Sequence, residues 1–185
     1  MLLDREDHAH ALAPVWLFHV LAGRNSIVTG TIGKDSIFLK NLSSGIAFNE
    51  PPVLAVEEIH GRKLVKAVGR DVGGVEGLPC VSIHRPFESA EPLFAEYDVA
   101  VALIQHALRE VFKARWALSP KVVLQLANRQ TQLSDGEKKM LQSLAKDCGI
   151  ARLYVFLAGQ CIPDVNEMRH AELLQSAHFV TKFVP

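Results

Sequence analysis

The sequence predicts an α/β protein: a mixed sheet in which an antiparallel meander leads into parallel strand–helix crossovers, with a small β-rich subdomain beside it. Three observations carry this prediction. Short β-rich runs broken by Gly, Asp and Asn turns fill residues 26–68. Two amphipathic helical stretches, 97–117 and 134–148, alternate with two almost wholly apolar runs, Lys121–Leu126 and Leu153–Leu157. The links between these elements are short, and helix–strand–helix–strand with short links makes a right-handed parallel crossover.

Residues 1–24 form an apolar N-terminal segment. Ala11 to Ala22 is nearly all apolar, with Trp16, Leu17, Phe18, Val20 and Leu21 clustered, and Gly23 stands where a helix stops. The segment reads as a buried helix or strand, packed inside the chain or against a partner. The alternative is an interfacial membrane contact with Trp16 and Phe18 at headgroup level. The preceding residues are acidic and His-rich, whereas anionic lipid favours Lys and Arg. His8 and His10 are the only pair spaced to suggest a metal, and as a pair alone they read as a solvated terminus; no metal site is expected.

From Ser26 the pattern turns to sheet. Ser26–Gly30, Ser36–Lys40 and a run around Ile46–Phe48 make a meander, with turns at Thr31–Asp35 and Asn41–Gly45. Pro51 and Pro52 forbid helix and remove two ladder donors, so Asn49-Glu50-Pro51-Pro52 must be a corner between extended segments. Val53–Ile59 and Lys63–Val68 then flank His60-Gly61-Arg62 as a hairpin. The glycine-rich stretch Gly69–Gly77 has no G-x-x-x-x-G-K-[ST] pattern and no helix after it, so it reads as a flexible surface loop, not a phosphate cradle. Cys80–Ile83 is a short strand before the Arg85-Pro86 break.

The second half is more regular. Val101, Ile104, Leu108, Val111, Phe112 and Trp116 recur at helical spacing through Tyr97–Ala117. Lys121–Leu126 is a buried strand, Asn128–Leu133 a loop, and Ser134 with Glu137 a capping box opening a helix that runs to Cys148 and stops at Gly149. Leu153–Leu157 is a second buried strand. Val165–Ala177 reads as a last helix and His178–Val184 as an apolar tail.

Composition excludes several functions. The 185 residues carry 49% hydrophobic and 22% charged residues and a formal net charge of +0, so a packed core is expected and a nucleic-acid partner is not. Cys80, Cys148 and Cys161 are scattered, which fits a reducing compartment rather than a disulfide or zinc framework. No apolar run reaches the roughly 20 residues of a membrane span, and the start has no basic n-region. A cytoplasmic protein is expected, at the inner face of the membrane if Trp16 and Phe18 insert. No G-x-S-x-G elbow appears, His84 and His106 read as a loop residue and a helix-face residue, and Glu57-Glu58 and Glu88 to Glu91 read as solvated charge.

Several stretches together resemble the N-terminal part of the bacterial actin MreB, the rod shape-determining branch of the actin and heat-shock-chaperone ATPase superfamily. They are Ile37–Lys40, Gly45–Ala55 with its Asn-Glu-Pro-Pro corner, Ala67-Val-Gly69, Ile83-His-Arg-Pro86, Ser119–Leu124, Glu137-Lys-Lys with the helix to Gly149, and Leu153–Phe156. The resemblance implies an actin-like, ribonuclease H-like half-domain: subdomain IA from residues 25–50 and 84–160, a IB-like insertion at 51–83, and a C-terminal helix and tail at 161–185. It also implies a phosphate turn after the first strand, to which Gly30 and Thr31 correspond as cofactor-binding candidates. In the family an Asp precedes that Gly-Thr; here Val28 or Thr29 stands in its place, so Mg²⁺ loses an oxygen ligand. Lys34 and Asp35 resemble a phosphate pair but are explained as well by turn chemistry.

Glu137 matches by position the family Glu that positions the attacking water, and is the one catalytic candidate; read from the residues alone it is the capping-box Glu. Asn128-Arg129-Gln130 replaces the family's Pro-x-Gly, and Ala158-Gly159-Gln160 its Glu-Glu-Pro hinge. The family's second half has no room in this length. The expectation is therefore a non-catalytic half-domain working by protein contact in the cell-shape or division cytoskeleton, as a homo-oligomer or with a full-length bacterial actin. A residual module binding ATP and Mg²⁺ across a cleft completed by a partner is the alternative.

Overall fold

The computed structural model describes residues 27–88, 93–113, 120–160, 177 and 179–182. The expected N-terminal segment with Trp16 and Phe18, and most of the expected helix at 165–177, lie outside the described residues. Strands β1 (Ile27–Ile32), β2 (Ile37–Asn41) and β3 (Ala47–Glu50) form the meander, and β7 (Lys121–Leu126) and β8 (Arg152–Leu157) lie parallel to β1. With β9 (Phe179–Lys182) on the edge, the sheet order is β3-β2-β1-β7-β8-β9. A second sheet of order β5-β4-β6 is built from β4 (Leu54–Ile59), β5 (Arg62–Val68) and β6 (Val81–His84).

Helix α1 (Tyr97–Phe112) leads into β7, and helix α2 (Asp135–Asp147) connects β7 to β8. The buried residues of α1, Ala100, Leu103, Ile104, Ala107, Leu108, Val111 and Phe112, recur every three or four positions and make one stripe. With Leu141 and Leu144 of α2 they pack on Val28, Val122, Leu124, Leu153 and Val155, so both helices cover one face of the large sheet. Each fully buried Leu here contributes about 1.5–3 kcal/mol. On the opposite face Val123, Tyr154 and Phe156 form a second buried cluster with Ile27, Leu42, Ala177 and Val180 against it. Burial on both faces is why β7 and β8 read as continuous apolar runs.

Chain ends of the elements follow local chemistry. In α2, Ser134 Oγ accepts from the Glu137 N–H while Glu137 caps the Ser134 N–H, and Gly149 takes φ 65° just past the helix. Helix α1 ends earlier than the periodicity predicts: Lys113 adopts φ 47°, and Trp116 lies outside the described residues. In the β4–β5 hairpin His60 (φ 51°) and Gly61 (φ 74°) are both left-handed, as the right-handed twist of a two-residue connection requires.

Three expectations are corrected. The stretch Gly69–Gly74 is not a flexible loop but a 3-10 helix with Gly69 and Val72 buried. The proline corner holds it: Arg70 N–H donates to Glu50 Oε2 at 3.1 Å and Gly69 N–H to Val53 O at 2.9 Å. Residues 178–184 are not merely an apolar tail, because Phe179–Lys182 pairs antiparallel with β8. Finally, Gly30 and Thr31 do not lie in a turn. They sit inside β1 between β2 and β7, Gly30 opposite both Leu39 and Leu124, and the turn comes two residues later, closed by Gly33 N–H to Ser36 O at 2.9 Å.

Candidate functional site

In an open α/β sheet, ligands bind beyond the carboxyl ends of the parallel strands. Here those ends are the Gly33–Ser36 turn after β1, Ala127–Leu133 after β7, and Ala158–Gln160 after β8. They are bonded to one another. Ala127 N–H donates to Ile32 O at 2.8 Å, Ala158 N–H to Arg129 O at 2.7 Å, and Gln125 Nε2 to Gln160 O at 2.9 Å. The Gln160 side chain folds back to accept from the Leu157 N–H at 2.6 Å. The cavity among Gly33, Phe87, Asn128 and Arg129 holds ≈ 20 Å³, about the space of one water.

Glu137 lies under these loops and is 7% exposed. Its Oε2 accepts from the Ser134 N–H at 2.8 Å, from Ser134 Oγ at 2.9 Å and from an Arg129 amino group at 3.0 Å. The same amino group stands 3.0 Å from Oε1. The carboxylate is thus engaged by a helix cap and a buried cation at once. Three of the four contacts fall on Oε2, and Oε1 has the Arg129 amino group beside it.

Arg129 is the residue that the sequence does not single out for this role. Arg129 and Glu137 are eight residues apart across a loop, a spacing that no helix or strand period brings together. The signal that could have found it is charge: a guanidinium beside an apolar strand end needs a partner, and the first acids that follow are Asp135 and Glu137.

The cofactor candidates separate. Gly30 has no room for a side chain, since a Cβ there would lie 2.2 Å from Phe38 O and 2.4 Å from Leu39 Cδ2. Thr31 is half-buried in the ladder. Lys34 and Asp35 are exposed in the following turn. Of the two residues standing where the resemblance expects a carboxylate, Val28 is wholly buried in the core and Thr29 is half-buried in β1. Trp16, Phe18, His8 and His10 lie outside the described residues.

No family model matches the sequence. Among solved structures, the chain superposes on MreB5 of Spiroplasma citri bound to ADP, with a TM-score of 0.57 at 15% identity, covering 72% of this chain and 38% of that one. The fold is actin-like. A non-polymerising MamK mutant bound to AMPPNP aligns at a TM-score of 0.57 and 16% identity over 73% of this chain and 41% of MamK. The MamK double helical filament aligns at 0.56 and 14% identity over 74% of this chain and 41% of its own. The chain therefore spans about two fifths of the bacterial actins it matches.

At these loops Glu137 is bonded to Arg129 and Ser134, and neither Val28 nor Thr29 supplies the carboxylate that the resemblance expects. Among the described residues no three His, Cys, Asp or Glu side chains gather as a metal site, and no helix is long and apolar enough to cross a membrane.

Proposed function

We propose that this chain is an actin-like module of a cell-shape or division cytoskeleton, inactive toward nucleotide, that works by assembling with copies of itself or with a full-length bacterial actin. One observation carries the first part: the Arg129–Glu137 pair takes up the carboxylate that the fold's resemblance would assign to water activation. Assembly is supported by the surface. Among the described residues the exposed large apolar side chains are Ile59, Leu64, Val65 and Leu78, all in or beside the small sheet. Its strand β5 is an edge strand exposed along most of its length, a ready template for another chain. The MamK filament, as a structural neighbour, adds to this reading.

The discriminating experiment is a thermal-unfolding titration with ATP and Mg²⁺. A ligand that binds the native state raises its stability, by about 2.7 kcal/mol at a hundredfold excess over Kd. No shift at millimolar ATP is expected. A saturable rise in Tm would favour the second reading, a nucleotide-binding remnant completing its cleft with a partner, for which the ADP- and AMPPNP-bound neighbours are the motive.

A further inference from the structure

The small sheet carries a constellation that the sequence does not announce. His84, expected in a loop, ends strand β6, and Ser82 lies two residues earlier on the same face. Ser82 Oγ is 2.7 Å from His84 Nε2 and 3.3 Å from Val56 O, to which its hydroxyl can also donate, and His84 Nδ1 is 2.7 Å from Oε2 of Glu96, the residue at the N-cap position of α1. Hydroxyl on one ring nitrogen and carboxylate on the other is the connectivity of a nucleophilic serine relay. With Nδ1–H donating to Glu96, Nε2 is left as the acceptor for the serine proton.

We propose that Ser82, His84 and Glu96 form a serine nucleophile, base and orienting acid that cleave small, solvent-accessible esters. The neighbourhood supplies what such a step requires. Ser82 is exposed, so a substrate reaches it without an opening motion. Glu96 also lines an open cleft of ≈ 360 Å³ with Ile83, Arg85, Glu88 and Ala95, which Ser82 and His84 do not themselves line. Strand β6 is an edge strand, and Glu58 N–H donates to Cys80 O at 2.9 Å. The alternation of an antiparallel ladder then turns Ser82 and His84 backbones toward β4 and the Ile83 N–H toward the open edge. That N–H, following the nucleophile in sequence, is the donor available to a developing oxyanion.

The chemistry balances without a cofactor. Ser82 Oγ attacks the ester carbonyl carbon as its proton passes to His84 Nε2. The tetrahedral adduct collapses, the C–O bond to the alcohol breaks, and His84 returns the proton to the departing alkoxide. Water then adds to the acyl-serine, losing a proton to His84. Collapse releases the acid and restores the Ser82 hydroxyl. Glu96 is 46% exposed, so it orients the ring less firmly than a buried acid would, and acylation rather than rapid turnover is the expected observable.

The test is covalent labelling of the full chain by a fluorophosphonate probe, with the adduct mapped by mass spectrometry, alongside p-nitrophenyl acetate hydrolysis. Labelling at Ser82 of the unaltered chain is expected, which does not depend on any variant folding. Ser82→Ala should abolish that adduct, and His84→Gln should lower the labelling rate about a hundredfold, the low end of what a positioned base contributes. Ser44→Ala, at an exposed serine in the turn between β2 and β3, should label as the parent does. Glu96→Gln, a positioning change, should slow acylation while leaving the probe concentration for half-maximal rate unchanged. The proposal is overturned by no adduct at Ser82, or by an adduct whose rate is untouched in His84→Gln.

Discussion

One Arg129 amino group lies 3.0 Å from each carboxylate oxygen of Glu137, and both side chains are 9% exposed. Removing one partner from a buried pair leaves a charge in low dielectric, which costs about 3–5 kcal/mol. Arg129→Ala should lower the unfolding free energy by that order in urea titration. A double-mutant cycle with Glu137→Gln should recover part of the loss, because the charge left behind disappears. A cost below about 1 kcal/mol for Arg129→Ala would show that the pair is solvated.

The α2 cap predicts a smaller effect. Ser134→Ala removes the acceptor for the Glu137 N–H and should cost about 1 kcal/mol. Since Ser134 Oγ also donates to Glu137 Oε2, its loss and that of Glu137 should not add. Additivity within experimental error would dissociate the cap from the ion pair.

Two glycines are irreplaceable for different reasons. At Gly30 a methyl group would meet the β2 backbone, so Gly30→Ala should cost about 1–3 kcal/mol through displacement of β2. At Gly69 the backbone is left-handed (φ 63°) and a Cβ would lie 2.7 Å from Glu50 Cβ. Truncating Glu50 to Ala keeps that Cβ, so Gly69→Ala should remain destabilising in an Glu50→Ala background. Full rescue by Glu50→Ala would contradict this geometry.

Stability should fall at alkaline pH. Burial, with Asp147 alongside, pushes the Cys148 thiol up to about 12 from its usual 9.0. Between those values the unfolded chain loses the proton and the folded chain keeps it. The contribution is therefore complete below about pH 9 and is lost as pH rises toward 12, at no more than about 1.4 kcal/mol per pH unit. Tyr97, raised by burial and by its bond to Asp147 at 2.8 Å, acts in the same direction. Cys148→Ala should flatten the slope of unfolding free energy against pH. An unchanged slope would place the titration elsewhere.

Self-assembly through the small sheet is tested by charge. Leu64 and Val65 are 52% and 50% exposed on edge strand β5. The double variant Leu64→Lys, Val65→Asp should weaken association at least tenfold in sedimentation velocity, with little change in monomer Tm. Equal association by both proteins would move the contact to another surface.

Most of the fold was legible in the residues. The Asn49-Glu50-Pro51-Pro52 corner, the Ser134–Glu137 cap and the apolar runs of β7 and β8 are local signals, and each lies where its pattern put it. Where the reading shifted, a distant contact was responsible. Gly69–Gly74 looks like loop until Glu50, twenty residues earlier, accepts from the Arg70 N–H. The first turn was read around Gly30 because glycine usually marks a turn; here it marks the close approach of β1 to β2. Residues 179–182 carry no strong strand period, and only pairing with β8 makes them a strand.

Alternation, capping and proline placement act within a few residues, so the chain by itself determined the order of strands and helices and, from that order, a mixed α/β architecture; the actin-like form of it came from the resemblance. Tertiary structure alone decided which side chains meet. Arg129 reaches Glu137 only because β7 and α2 converge on one loop, and His84 reaches Glu96 only because β6 ends beside the start of α1. Those meetings depend on where elements dock, which is set by burial of whole faces and not by any short-range pattern.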